Sequence, residues 1–90
     1  MDVREMRYVV ALADTGTLTR AGQKLYVSRQ IMGKTINQVE GRLGIKLFER
    51  NGRSVVPTDR GKALVHDARQ TVDAVETFNR TYEPALAPCM

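Results

Sequence analysis

The chain has one cysteine, one histidine and three prolines in 90 residues. A single cysteine, Cys89, excludes an internal disulfide framework, and its place second from the end does not suit a prenylation box. His66 lies far from Cys89 in sequence, and no zinc spacing, phosphate loop or nucleophile–base set occurs. His66 is therefore expected to be an ordinary surface or packing residue. No metal and no cofactor is implied, and an enzyme is the weakest class. Long apolar runs are missing too. The longest, Tyr8 to Ala13, is far too short to span a bilayer. The opening Met1-Asp2-Val3-Arg4-Glu5 is too charged for a signal peptide. There is no internal repeat and no low-complexity tract, so the expected location is the cytoplasm.

The length suits one small domain with a thin core, to which a dimer partner would add. The apolar fraction of 42% permits such a core. The formal charge of +4 hides an asymmetry. Residues 20–53 carry eight cations and two carboxylates, a net of +6, and the segments on either side are each −1. Positive charge confined to one segment suits a polyanion.

That segment holds the stretch around which the chain is organised. Residues 28–43 read as a helix opened by Ser28 as N-cap. Met32, Ile36, Val39 and Leu43 form one apolar stripe. The opposite face carries Gln30, Gly33, Lys34, Asn37 and Gly41, with Arg29 beside it in the first turn and no carboxylate. Such donors reach phosphates and base edges in a major groove, so this is a candidate recognition helix. A solvated polar face is the bland alternative. Gly33 is unexpected inside a helix, where it costs about 1 kcal/mol relative to alanine. It either weakens the helix or lets its backbone approach something closely.

The flanking segments complete a frame. Asp2 and Glu5 form a capping-box pattern that starts a helix near Val3. Its expected stripe is Val3, Met6, Val9 or Val10, and Ala13, and Gly16 ends it. Thr17 caps a second helix that turns Leu18, Ala21 and Leu25 inward. Small Ala21 and Gly22 allow a close helix crossing, and Tyr26 and Val27 fill the turn. After Gly44, Asn51-Gly52 predicts a hairpin with a type I′ turn and strands at about 46–50 and 53–56. Arg50 and Arg53 flank that turn. Two solvated arginines at a hairpin tip are the bland alternative, but just after a candidate recognition helix a basic-tipped hairpin reads as a wing that touches phosphates or enters a minor groove. Thr58 and Asp59 open a last helix running unbroken to about Glu83, roughly 38 Å. A domain of this size cannot cover that length. The far half, with Val72, Val75, Phe78 and Tyr82, is expected to pair with a second copy. The prolines after it suggest a linker. The expected division is therefore 1–57 as the nucleic-acid-binding unit, 58–83 as the long linker and dimerisation helix, and 84–90 as a proline-containing tail.

The order of these segments resembles the N-terminal DNA-binding domain of LysR-type transcriptional regulators. The resemblance is carried by residues 6–13 (MRYVVALA), 16–21 (GTLTRA), 25–28 (LYVS), 36–40 (INQVE), 43–50 (LGIKLFER) and 57–61 (PTDRG), and covers residues 2–65. It implies a mainly α fold: a winged helix-turn-helix of three helices and a two-stranded β wing, followed by a long dimerising helix. It also implies double-stranded DNA as partner, at an interrupted palindrome, and a homodimer, with a higher oligomer possible in a longer protein. By the family pattern, Thr19 and Arg20 approach phosphates, the start of the third helix reads bases, and Arg50 and Arg53 serve the wing. Two departures stand out. The family usually places Gln-Pro after the capping serine, where this chain has Arg29 and Gln30. It usually has Ser-Arg where this chain has Gly33 and Lys34. An operator preference therefore does not carry over, although Arg29 is able to bond a guanine bidentately. The rival readings are a molybdate-type regulator domain of the same architecture and a winged-helix protein-interaction module.

Overall fold

Each helix begins where a side chain takes up an orphan backbone amide. In this computed structural model, which describes residues 1–83, the order is α1 (Val3–Thr15), α2 (Leu18–Leu25), α3 (Arg29–Leu43), β1 (Phe48–Asn51), β2 (Ser54–Pro57) and α4 (Asp59–Tyr82). The expected tail at 84–90 lies outside the described residues. Asp2 and Glu5 form the reciprocal capping box of α1, and Thr17, Ser28 and Thr58 cap α2, α3 and α4. The mainly α fold, a helix-turn-helix with a two-stranded wing and a long last helix, is as the sequence implies.

The core lies where α1 meets α2, α3 and α4. It is built from Tyr8, Val9, Ala11 and Leu12 with Leu18, Ala21, Met32, Ile36, Val39, Leu47, Phe48, Val55 and Val65. This shifts the expected α1 stripe. Because neighbours press on α1 from several sides, its buried face is wide and centred on Tyr8, Val9, Ala11 and Leu12, while Val3, Met6 and Ala13 are only half-buried. In α3 the expected stripe holds at Met32, Ile36 and Val39, with buried Thr35 beside it. Leu43, in the last turn, runs past the core and is 44% exposed.

The turn between α2 and α3 also differs from expectation. Tyr26 takes the left-handed C-cap of α2 at φ 60, and the residue is 95% exposed rather than filling the turn. Val27 alone packs against the core. Gly22 is required by the turn's own backbone, not by a helix crossing: a Cβ there would lie 2.6 Å from the Val27 carbonyl oxygen.

The hairpin forms one residue later than expected. Asn51 pairs with Ser54, so Gly52 and Arg53 are its tip. Of these two residues only Gly52 has positive φ, at 66. That is the sign pattern of a type II′ turn, which needs a glycine at the first central position alone. Three contacts fix the wing to the body. The Val55 amide donates to the Gly16 carbonyl at 2.8 Å, the Thr58 amide donates to the Leu47 carbonyl at 2.9 Å, and Glu40 of α3 accepts from the amides of Leu47 and Phe48. Gly61 closes the junction, since any Cβ there would overlap the Leu47 carbonyl.

Helix α4 is 24 residues long, about 36 Å, and runs antiparallel along α1. Arg69 pairs with Asp14 at 2.7 Å and Glu76 with Arg7 at 4.0 Å. Gly61, Val65, Ala68 and Val72 are buried. Val72 is only 8% exposed within one chain, which corrects the expectation that it lacks an intramolecular core: α1 reaches one helical turn further along α4 than length alone suggested. Val75 is half-buried. Phe78 and Tyr82 are left at 57% and 70% exposure, packed against each other with ring centroids 4.8 Å apart and planes tilted by 44°.

Candidate nucleic-acid interface

Two adjoining grooves lie between the start of α2, the outer face of α3 and the wing. The first is lined by Thr19 and Arg20 of α2, Arg29 of α3, and Arg50 and Arg53 of the wing, among others. The second is lined by Arg29, Gln30, Gly33, Lys34 and Asn37 along α3, with Gln38, Leu18 and Arg50. Nine of the ten expected interface residues thus meet on one surface. Ser28 lines neither groove, and its hydroxyl accepts the Ile31 amide at 3.1 Å as the α3 cap. Among the described residues, no carboxylate lines either groove.

Local structure explains the placements. Thr19 and Arg20 sit in the first turn of α2 because Thr17 caps it, accepting the Arg20 amide at 3.0 Å. Arg50 follows Phe48 by two residues, so both side chains leave β1 on the same face. Phe48 enters the core, while Arg50 lies beyond its edge and borders both grooves. Arg53 occupies the hairpin tip.

The charge of this surface is more focused than the segment count implied. Arg42 is spent on buried Glu5 at 2.6 Å, and Lys24 lies 3.8 Å from Asp14. Among the described residues, Arg20, Arg29, Lys34, Arg50 and Arg53 form no ion pair. The paired carboxylates belong to the scaffold. The Asp2 backbone amide, and then the Arg42 guanidinium, hold the Glu5 carboxyl below its usual range. The Arg69 guanidinium does the same for Asp14, and its own pKa rises in return.

Sequence reasoning missed Gln38 and Glu40. Gln38 stands one step round α3 from the expected donor face, and its helical angle was the available signal. Glu40 entered only as a charge and as part of the 36–40 motif, with no role of its own. Its carboxylate oxygen takes the Leu47 and Phe48 amides at 2.8 and 3.1 Å and so sets the wing against α3. Nothing local in the sequence marks that role. His66 is exposed on α4 beside Gln70, as expected of a surface residue.

Residues 3–62 match the family model described as bacterial regulatory helix-turn-helix protein, lysR family. The chain belongs to the LysR family. Among LysR-type relatives, it is 35% identical over 85 residues to the HTH-type transcriptional regulator TfdT of Cupriavidus pinatubonensis, covering 94% of this chain and 37% of TfdT. It is 32% identical over 80 residues to an uncharacterized HTH-type transcriptional regulator from Azotobacter vinelandii, covering 89% of this chain and 56% of that one. It thus spans between about a third and a little over half the length of these relatives. Among solved structures, the CbnR DBD–DNA complex superposes with a TM-score of 0.82 at 30% identity, covering 94% of this chain and 99% of that one. The BenM DBD complex with benA site 1 DNA gives 0.85 at 28% identity over the same shares. The LysR family is one of transcriptional regulators, not of enzymes. Within it, this chain's departures from the usual motif, Arg29, Gln30, Gly33 and Lys34, all fall on the second groove.

Proposed function

We propose that this chain is the operator-binding part of a bacterial transcriptional regulator and binds double-stranded DNA as a homodimer. Helix α3 enters the major groove, with Arg29, Gln30, Gly33, Lys34 and Asn37 toward base edges and phosphates. Thr19 and Arg20 contact the backbone, Ser28 holds the start of α3, and Arg50 and Arg53 bring the wing to the minor groove or its phosphates. Residues 1–57 do the reading, and the helix at 58–83 joins two copies through Val75, Phe78 and Tyr82, with Val72 at the inner edge. Two α3 helices related by a two-fold then address the half-sites of an interrupted palindrome. The protein works in the cytoplasm, and a longer form with an effector domain is able to build higher oligomers.

The observation that carries this reading is the pair of grooves that, among the described residues, holds five cations without ion pairs and no carboxylate. A protein-interaction module needs no such surface, and the LysR match of residues 3–62 disfavours the molybdate-type alternative. The test is the salt dependence of duplex binding, followed by anisotropy. For about six phosphate contacts per dimer, log K falls with log salt at a slope near −5. A slope indistinguishable from zero rejects the proposal.

A further inference from the structure

Gly33 sits on the outer face of α3 at a cost that the fold itself does not require. A mid-helix glycine is less stable than alanine, yet a Cβ at this position would meet only Leu18 Cδ1, at 3.7 Å, an ordinary van der Waals distance. Gly33 is helical, with no positive φ. It therefore differs from Gly22 and Gly61, where the chain's own backbone forbids a side chain. What the missing methyl leaves is a shallow notch in the second groove. Leu18 provides an apolar floor, and Arg29, Gln30, Asn37 and Arg50 stand around it.

An apolar spot ringed by hydrogen-bond donors on a cationic surface fits one feature of a major groove. Thymine alone among the bases presents a methyl there, beside an acceptor oxygen. We infer that Gly33 opens a seat for the 5-methyl group of a thymine, so that the methyl itself selects the base at one position of each half-site. This rests on the duplex-binding reading above and deepens it. The donors fix the helix over the base pair, and the Leu18 floor rewards the methyl. A side chain at position 33 fills the space the methyl needs.

The experiment uses a duplex recovered by selection from a random pool with the wild-type chain. Each thymine is replaced in turn by deoxyuridine, which lacks only the methyl, and affinity is read by anisotropy. Burial of one methyl is worth about a four-fold change in affinity per half-site, and about fifteen-fold when both symmetric positions are changed. Wild type is expected to show one such thymine in each half-site. Gly33→Ala is expected to melt about 4–8 °C higher, as removal of a helical glycine implies, and to bind the thymine and uracil duplexes equally. Wild-type binding that is indifferent to every deoxyuridine overturns the inference alone. So does a Gly33→Ala variant that keeps the same position-specific penalty. Failure of wild type to retain any duplex overturns the duplex-binding reading and this inference with it.

Discussion

Glu40 is the strongest single lever on the placement of the wing. Its Oε2 accepts two backbone amides, from Leu47 at 2.8 Å and Phe48 at 3.1 Å, and Leu47 and Phe48 are both buried. Glu40→Ala leaves both donors without a partner. A buried unsatisfied donor costs about 1–3 kcal/mol, so the pair costs about 2–6 kcal/mol. A domain of this size has total stability on the order of 5–13 kcal/mol, so the variant unfolds at much lower denaturant. Glu40→Gln keeps an acceptor oxygen and loses only the charge assistance, a cost of about 1 kcal/mol. The two variants separate further in function. With the amides of Leu47 and Phe48 released, Arg50 and Arg53 lose their fixed position relative to α3. Under conditions where Glu40→Ala is still folded, its affinity for duplex falls, while Glu40→Gln binds nearly as wild type. Urea denaturation gives the first number and anisotropy the second. If Glu40→Ala unfolds at the wild-type midpoint, the carboxylate is not what holds the wing and the reasoning is wrong.

Further outcomes follow from other parts of the structure. Arg29→Ala should cost about 1–3 kcal/mol of binding and relax one operator position, whereas Arg53→Ala should weaken all duplexes alike; equal, sequence-blind losses on a substitution series would reject the role given to Arg29. Phe78→Asp puts a charge where two chains are proposed to meet, and each large side chain there gains about 1.5–3 kcal/mol on burial. Because Val72 is held by its own chain, the variant should keep its helix content, sediment as a monomer and lose most affinity for a full operator; a stable dimer with normal binding would remove the long helix from that role. The Glu5 carboxyl titrates below its usual value near 4.5 in the folded chain, so its contribution is fully present above that pH and is lost as pH falls through the depressed value. The melting temperatures of wild type and Glu5→Gln should therefore differ most near neutrality and converge in acid, and a gap unchanged down to pH 3 would contradict the Glu5–Arg42 pairing.

The sequence by itself determined the helices, their starts and stops, the wing and the family. These signals are local: Asp2, Thr17, Ser28 and Thr58 each bond an amide three residues on, and apolar periodicity needs only the helix repeat. It also determined that residues 20–53 hold the basic charge. Tertiary structure decided which of those cations stay unpaired, because Glu5 lies 37 residues from Arg42 along the chain yet meets it directly. The hairpin tip belonged to tertiary structure as well: docking of Val55 on Gly16 and of β1 on Glu40 fixed the register that moved the turn to Gly52-Arg53. Packing, not periodicity, buried Val72 and left Phe78 and Tyr82 outside, since only the length and placement of α1 set where cover of α4 ends. Gly61 and Gly33 make the same point from opposite sides. Both are helical glycines that look alike in sequence, but one lies against the Leu47 carbonyl and the other faces an open groove. What stands opposite a residue comes from distant parts of the chain, and no local pattern encodes it.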